Sequence, residues 1–284
     1  MNKMIPKVSV CLITYNHERY IEKAIEGILS QKTDFVYEII VGDDLSTDST
    51  IQIINRYKEK NEKLFNVMQY DQKMGMHKNW EAVLAHAQGE YIALLEGDDF
   101  WVDPYKLAKQ VEVLDKNQTI AISFTNASVI NELNDKVFSN YVEKRKEINS
   151  LLDLLEYNFI PTCTVVYRNK YIQSLPKAFF KSPYADWIIH CIYAQEGDVH
   201  FLNLVTASYR LHSNGVYGGS DEETKLKNSI KTMSCIIEIV SSNYHFYCFQ
   251  YLKKYQFKLL DFYKSKGMYF KVVSFYVKGL KWRL

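Results

Sequence analysis

Residues 90–104 read EYIALLEGDDFWVDP. Tyr91-Ile92-Ala93-Leu94-Leu95 is a short apolar run bounded by polar and Gly residues, the pattern of a buried strand. It stops at Glu96-Gly97-Asp98-Asp99, three carboxylates in four residues. Carboxylates this close raise one another's pKa unless water or a cation lies between them. Glu96 and Asp98 are two apart, so they share one face of an extended chain. Gly97 leaves room for a ligand to approach the backbone. Such an oxygen-rich cluster suits Mg²⁺ or Mn²⁺ held together with substrate phosphates. An acidic solvated turn would carry the same three residues. The aromatic pair Phe100-Trp101 directly after them argues against a plain surface turn.

The segments upstream repeat the same construction. Val8 to Tyr15, VSVCLITY, reads as a first strand covered on both faces. Tyr20, Ala24 and Ile28 then form a helical stripe. The turn between them, Thr14-Tyr15-Asn16-His17, lacks the Gly that a dinucleotide fingerprint or phosphate loop requires. Tyr37 to Val41 is a second strand running into Gly42-Asp43-Asp44, followed by a helix bearing Ile51, Ile54 and Tyr57. Leu64 to Tyr70 is a third strand, and Gly75 precedes a helix bearing Trp80, Val83, Leu84 and Ala87. Strands alternating with helical periods predict an α/β fold with a mainly parallel sheet. Ligands of such sheets sit beyond the carboxyl ends of the strands. Thr14–Asn16, Asp43–Asp44 and Glu96–Asp99 all fall at such ends.

Composition excludes several classes. The formal net charge of +2 over 284 residues leaves no basic footprint for nucleic acid. Five scattered Cys, with no metal-ligand spacing, fit a reduced cytoplasmic chain. The start, MNKMIPKVSV, lacks the apolar core of a signal peptide, and no run is long enough to span a membrane. Downstream, Thr119 to Asn131 and Cys163 to Tyr167 read as strands, and Leu151 to Tyr157 as a short helix. Asn134 to Asn149 is charged and irregular and predicts a mobile loop. Asp186 opens an amphipathic helix, where an acid commonly serves as a cap. Val199 to Leu211 is the last strand.

The order TYNHERYIEKAIEGILSQ, EIIVGDDLSTDST, GEYIALLEGDDFW, followed by Asp186-Trp187 and YRLHSNGVYGG, resembles family-two glycosyltransferases of the GT-A fold. The resemblance implies a catalytic region over 1–219, with a nucleotide-sugar half (1–105) and an acceptor half (106–219). It implies that Thr14, Tyr15 and Asn16 border the nucleoside, with Asp43 and Asp44 beside it. Glu96-Gly97-Asp98 takes the place of the family's DxD, with Glu for the first Asp. Asp98 is then the metal ligand, Glu96 and Gly97 touch the donor, and Asp99 could share the metal. His212 stands near the metal or diphosphate. Lys78, Asn79, Trp101, Pro161, Thr162 and Trp187 are candidates on the donor or acceptor side. Asp186 falls at the general-base position, although Ala185 replaces the Glu often found before it.

From Ser220 the character changes. Ser220-x-x-Glu223 reads as a capping box, and Leu226, Ile230, Met233, Ile237 and Val240 follow at helical spacing. Two more helices, about 244–264 and 268–281, mix Tyr and Phe with Lys. The region 220–284 could lie on a membrane through residues 243–284, cap the catalytic region, or meet a second copy in a homodimer. The implied reaction moves a sugar from a nucleoside-diphosphate sugar, UDP-linked by resemblance, to a glycan or lipid-linked acceptor with inversion. The setting would be cell-surface polysaccharide synthesis on the inner face of the cell membrane. A nucleotide-sugar pyrophosphorylase and a non-catalytic scaffold on the same fold are the rivals.

Overall fold

The computed structural model describes residues 5–68, 70–169 and 174–280, the last five by backbone alone. The extreme N-terminal residues 1–4, position 69 in the expected third strand, and the final basic residues 281–284 lie outside the described residues. The first half alternates as its periodicity predicts: β1 (Val8–Thr14), α1 (Ile21–Leu29), β2 (Tyr37–Asp43), α2 (Thr50–Lys60), β3 (Phe65–Met68), α3 (Met76–Ala85) and β4 (Tyr91–Glu96). A two-residue β5 (Phe100–Trp101) leads to α4 (Lys106–Lys116) and the long β6 (Ile120–Asn131). Next come β7 (Lys136–Phe138), β8 (Ile148–Asn149), α5 (Leu151–Glu156), a 3₁₀ turn at Thr162–Thr164 and β9 (Val166–Arg168). The chain continues through α6 (Lys177–Lys181), α7 (Ala185–Ala194), β10 (Asp198–Leu211), α8 (Glu222–Ile237), α9 (His245–Ser265) and α10 (Tyr269–Leu280).

The strands form one sheet in the order β3-β2-β1-β4-β9-β6-β10-β5. β3, β2, β1 and β4 are parallel neighbours. β9 runs against both β4 and β6, and β6 pairs parallel with β10. Register fixes the site: Thr14 lies opposite Asp43, and Ile13 opposite Glu96. The three polar clusters therefore end level with one another. Both faces of the sheet are covered, as the near-continuous apolar strands require. Val8, Val10 and Leu12 of β1 pack into one apolar cluster with α1 and α4, while Cys11 and Ile13 pack into the other with α3 and α7. That is the two-residue alternation of a pleated strand.

Gly42 permits α3 to sit close on β2. A Cβ there would stand 1.9 Å from Asn79 Oδ1 and 2.8 Å from Val83 Cγ1. Asn79 Nδ2 donates to the Gly42 carbonyl at 2.8 Å and its Oδ1 accepts from the Tyr70 hydroxyl at 2.9 Å. Gly42→Ala is expected to cost ~1–3 kcal/mol through overpacking, read as a lowered midpoint in urea unfolding.

Two expectations are corrected. The segment 134–149 is fastened by Asn126, whose Oδ1 accepts from the backbone N–H of Tyr141 (3.1 Å) and Val142 (2.9 Å) and whose Nδ2 donates to the Val142 carbonyl (2.7 Å). Asn149, inside the segment, is buried as well, and its Nδ2 donates to the Lys146 carbonyl at 2.9 Å. The cap of α8 is Asp221, which accepts from Thr224 N at 2.8 Å, whereas Ser220 Oγ donates back to the Val216 carbonyl.

The C-terminal helices share the main core. Met233, Ile236, Cys248 and Tyr255 belong to the same apolar cluster as Trp187, Ile188 and Leu154. Tyr255 also donates to the Glu156 carbonyl at 3.0 Å, and Lys254 pairs with Glu156 at 2.7 Å. Deleting residues 243–284 is therefore expected to lower the melting temperature sharply or prevent folding, checked by circular dichroism. No helix among the described residues is long and apolar enough to cross a membrane.

Candidate active site

A cavity of about 690 Å³ opens beyond the carboxyl ends of β1, β2 and β4, within the size range of ligand pockets. Thr14, Tyr15, Asp44, Gly75, Asn79, Glu96 and Asp98 line one end. Asp98 Oδ2 meets His212 Nε2 at 2.9 Å and His17 Nε2 at 4.0 Å. Burial pushes the Asp98 carboxyl up, but the hydrogen bond from His212 and the two imidazoles outweigh it and hold it below the usual range. The same hydrogen bond raises His212. Glu96 is driven well up by burial and then by Asp98, Asp99 and Asp186. Gly97 keeps this end open: a Cβ on it would lie 2.7 Å from Thr14 Oγ1 and 2.9 Å from His17 Nδ1. Neither of those buried atoms has a hydrogen-bond partner among the described residues, and a buried polar atom in that position calls for one.

The loops after β1 and β2 are clamped together. Asn16 and Leu45 both take positive φ, 54° and 56°. Asn16 Oδ1 accepts from Thr47 N at 2.8 Å, and Asn16 N donates to Ser46 Oγ at 2.9 Å. Asp43 accepts from Ser46 N and Oγ, at 3.0 and 2.5 Å. Asp44 accepts from Met74 N at 2.5 Å and Gly75 N at 3.0 Å. Of these expected nucleoside contacts, Thr14, Tyr15 and Asp44 line the cavity; Asn16 and Asp43 serve as loop fasteners behind it. Lys73, which no motif singled out, stands 3.5 Å from the Tyr15 ring centre and lines the cavity.

Asp186 faces the other end from the first turn of α7. Its Oδ2 accepts from Asn158 Nδ2 at 2.7 Å and from Thr162 Oγ1 at 3.4 Å. Burial raises its pKa, partly offset by those bonds and the Trp187 backbone N–H. A quarter of the side chain is open, so the carboxylate can reach a ligand. Pro161, Thr162, Trp187, Tyr184 and Tyr255 surround it. His190 lies 4.0 Å from Asp186 but is fully buried, bonded to the Tyr167 hydroxyl, and driven down to about 3 by burial, so it is uncharged.

Besides Asn16 and Asp43, the candidates Gly97, His212, Trp101, Lys78 and Asp99 are not part of the cavity lining. Trp101 is buried with its indole donating to the Cys163 carbonyl at 2.8 Å, and packs against Gly27 in the core. Lys78 is on the exposed side of α3. Asp99 is 1% exposed and accepts from Arg210 N at 2.8 Å. Arg210, quoted in its motif but given no role, also donates through Nη1 to the Asp98 carbonyl. It stands 5.0 Å from the Tyr20 ring centre and 4.5 Å from that of Phe100. It thereby ties the acidic turn to the end of β10, which His212 directly follows. Asn158, the partner of Asp186, had no signal in the sequence beyond its amide.

A sheet with strand ends converging on an acidic turn, covered by helices on both faces, defines the GT-A class of nucleotide-sugar transferase folds. Solved structures agree: Staphylococcus aureus TarS 1-349 in complex with UDP-GlcNAc matches 94% of this chain and 76% of its own with a TM-score of 0.68 at 19% identity. The mannosyltransferase PcManGT of Pyrobaculum calidifontis, in complex with GDP-Man and Mn²⁺, matches 93% of this chain and 76% of its own with a TM-score of 0.64 at 16% identity. The model of glycosyl transferase family 2 matches residues 9–175, and the chain belongs to that family. The uncharacterized protein Rv1520 of Mycobacterium tuberculosis is 38% identical over 213 residues, 74% of this chain and 60% of that relative's length.

Proposed function

We propose that the chain transfers a sugar from a UDP-linked donor to an acceptor hydroxyl with inversion. The observation that carries this is one continuous cavity with Asp98, backed by His212 at 2.9 Å, at one end and a partly open Asp186 at the other. Asp98 and His212 offer a carboxylate oxygen and an imidazole nitrogen at one point, a donor set that suits a divalent ion. No group of three or more His, Cys, Asp or Glu side chains among the described residues is disposed to hold one alone, so diphosphate oxygens would complete its shell. When bound, the ion would neutralise charge on the leaving diphosphate. Thr14 and His17 offer further polar contacts beside Gly97. Asp186, held by Asn158 and Thr162, takes the proton of the attacking hydroxyl. The fold alone leaves the base open, since TarS is bound to UDP-GlcNAc and PcManGT to GDP-Man; the UDP choice rests on resemblance.

A pyrophosphorylase reading is opposed by the Gly-free turn Thr14–His17. For a peripheral contact with the inner face of the membrane, the side chains on offer are Phe246, Phe249 and Phe257 of α9, exposed beside Lys253. The test of function is a donor screen with Mn²⁺: several nucleotide sugars, with release of nucleoside diphosphate as the readout. UDP release from one UDP-sugar, and from none after Asp186 and Asp98 are both replaced, is the expected result. No release from any donor would favour the scaffold reading.

A further inference from the structure

His190 has no part in the chemistry described so far, yet its position is specific. It follows Asp186 by one helical turn on α7, at the i, i+4 spacing that brings two side chains together. Its Nε2 stands 4.0 Å from Asp186 Oδ2. Asn158 and Thr162 donate to that same oxygen. The three side chains thus converge on Oδ2, and none of them bonds Oδ1. The His190 ring is fully buried and bonds through Nδ1 to the Tyr167 hydroxyl at 2.5 Å. Its Nε2 has no hydrogen-bond partner among the described residues. The Ile160 carbonyl favours a proton on the ring, but no bond of ordinary geometry reaches Nε2.

Tyr167 decides which nitrogen carries the ring proton. Burial drives His190 down to about 3, so the ring is neutral, with one nitrogen donating and the other accepting. The Tyr167 hydroxyl is pushed well above its usual range, by burial first and then by Tyr193, Asp186 and Cys191, so it keeps its hydrogen. His190 Nδ1 is the one hydrogen-bond partner of that hydroxyl among the described residues. A proton on Nδ1 would leave the hydroxyl hydrogen buried without an acceptor, which is costly. Nδ1 therefore accepts, and the proton sits on Nε2, the atom facing Asp186. Tyr167 is itself held firmly. It lies in β9 between Ile92 of β4 and Ile122 of β6, and it stacks on Tyr193 with ring centres 4.3 Å apart.

The other titratable groups facing Asp186 are Glu96 from the end of β4 and Tyr141 and Tyr184 from the loops. Glu222 and Lys225 of α8 and Tyr255 of α9 line the same cavity. Beside His190, burial raises Tyr167, Tyr193 and Cys191, and all three stay neutral.

We propose that His190 is a positioning residue for Asp186. Its Nε2–H, fixed by Tyr167, closes onto Oδ2 when the acceptor binds and holds the anionic carboxylate with Oδ1 turned to the attacking hydroxyl. The present gap exceeds hydrogen-bond length by about 1 Å, and catalytic hydrogen bonds commonly tighten once substrate is bound. The assignment rests on the general-base reading of Asp186 and adds two interior residues to it.

Two measurements on the full chain test it. Nuclear magnetic resonance with ¹⁵N-labelled histidine reads the tautomer, His190 being assigned by its absence in His190→Gln. The Nε2–H form is expected, unchanged between about pH 8 and about pH 5 because the ring titrates at about 3. The second measurement is UDP release, with water as acceptor, from the UDP-sugar that scores in the donor screen. Tyr167→Phe keeps the ring stack and frees the tautomer. It should slow release roughly tenfold, part of the ~10²-fold assigned to the base. It should also move the acid limb up by ~0.5–1 pH unit, since a carboxylate that loses a donor ionises later. UDP affinity should hold. His190→Phe should act alike, and His190→Gln, which offers both an amide N–H and a carbonyl, should recover most of the loss. Should His190→Phe fail to fold, Tyr167→Phe, which removes one oxygen, decides alone. An Nδ1–H ring overturns the proposal, as does an acid limb unmoved in Tyr167→Phe. A lowered melting temperature with an unchanged pH profile also overturns it and leaves His190 a packing residue. Near-parent release by Asp186→Asn would strike the general-base reading itself, a separate outcome.

Discussion

Asp186→Asn is expected to slow sugar transfer by ~10²-fold or more, in line with the loss of a general base. UDP affinity should stay near the parent value, because the donor end of the cavity is built from other elements. The substitution preserves shape: an Asn oxygen can still accept from Asn158 and Thr162, which now bond Oδ2 at 2.7 and 3.4 Å. Stability should also hold at neutral pH. Burial raises the folded pKa of Asp186, so its stabilising contribution is present below the unfolded value of ~3.9 and lost as pH rises through the folded one. Asn, which cannot ionise, removes a buried charge and keeps the two accepted bonds. For the same reason the acid limb of the parent's transfer rate should lie above the ordinary carboxylate range, since the base acts only when ionised. Single-turnover rates across pH, with thermal melts beside them, decide the matter. Transfer at near the parent rate would reduce Asp186 to a helix-terminal acid.

Asp98→Asn should weaken Mn²⁺-dependent UDP binding by roughly 10²-fold, the upper range seen when even an outer-shell partner of a metal site is lost. EDTA added to the parent should do the same. Asp98 is the carboxylate on which His212, His17 and the Arg210 anchor of its own backbone converge. Neutralising it leaves those bases with no anion between them and a bound ion with no charged protein ligand. Calorimetry with and without Mn²⁺ gives the answer. Equal UDP affinity in all conditions would remove the proposed metal role.

The donor half was legible because its signals are local. Apolar runs ending in Thr14, Asp43 and Glu96 give strand ends without knowledge of the partner strand, and parallel order then places them level. The helices of 220–284 were legible as helices from their spacing, but their partner was not. Lys and Tyr at helical intervals suit a membrane, a cap or a second copy equally; only packing of Met233 and Tyr255 with Trp187 distinguishes them. Trp101 misled because an aromatic next to an acidic turn can face either way, and Gly27, distant in sequence, receives it. Asn16 and Asp43 border the nucleoside by resemblance, yet their side chains fasten the two loops to each other. Asn158 and Lys73 act through neighbours brought by the fold, which no short motif reports.

The far side of the cavity, supplied by Glu222, Lys225 and Leu226 of α8 and Tyr255 of α9, comes late in the chain. A ribosome releases Asp98 first and Tyr255 more than half a chain length later, a delay on the order of ten seconds at ~5–20 residues per second. During that interval the cavity stands open on that side, and until β10 is finished Asp98 also lacks His212. The enclosed cavity therefore exists only once α9 has emerged.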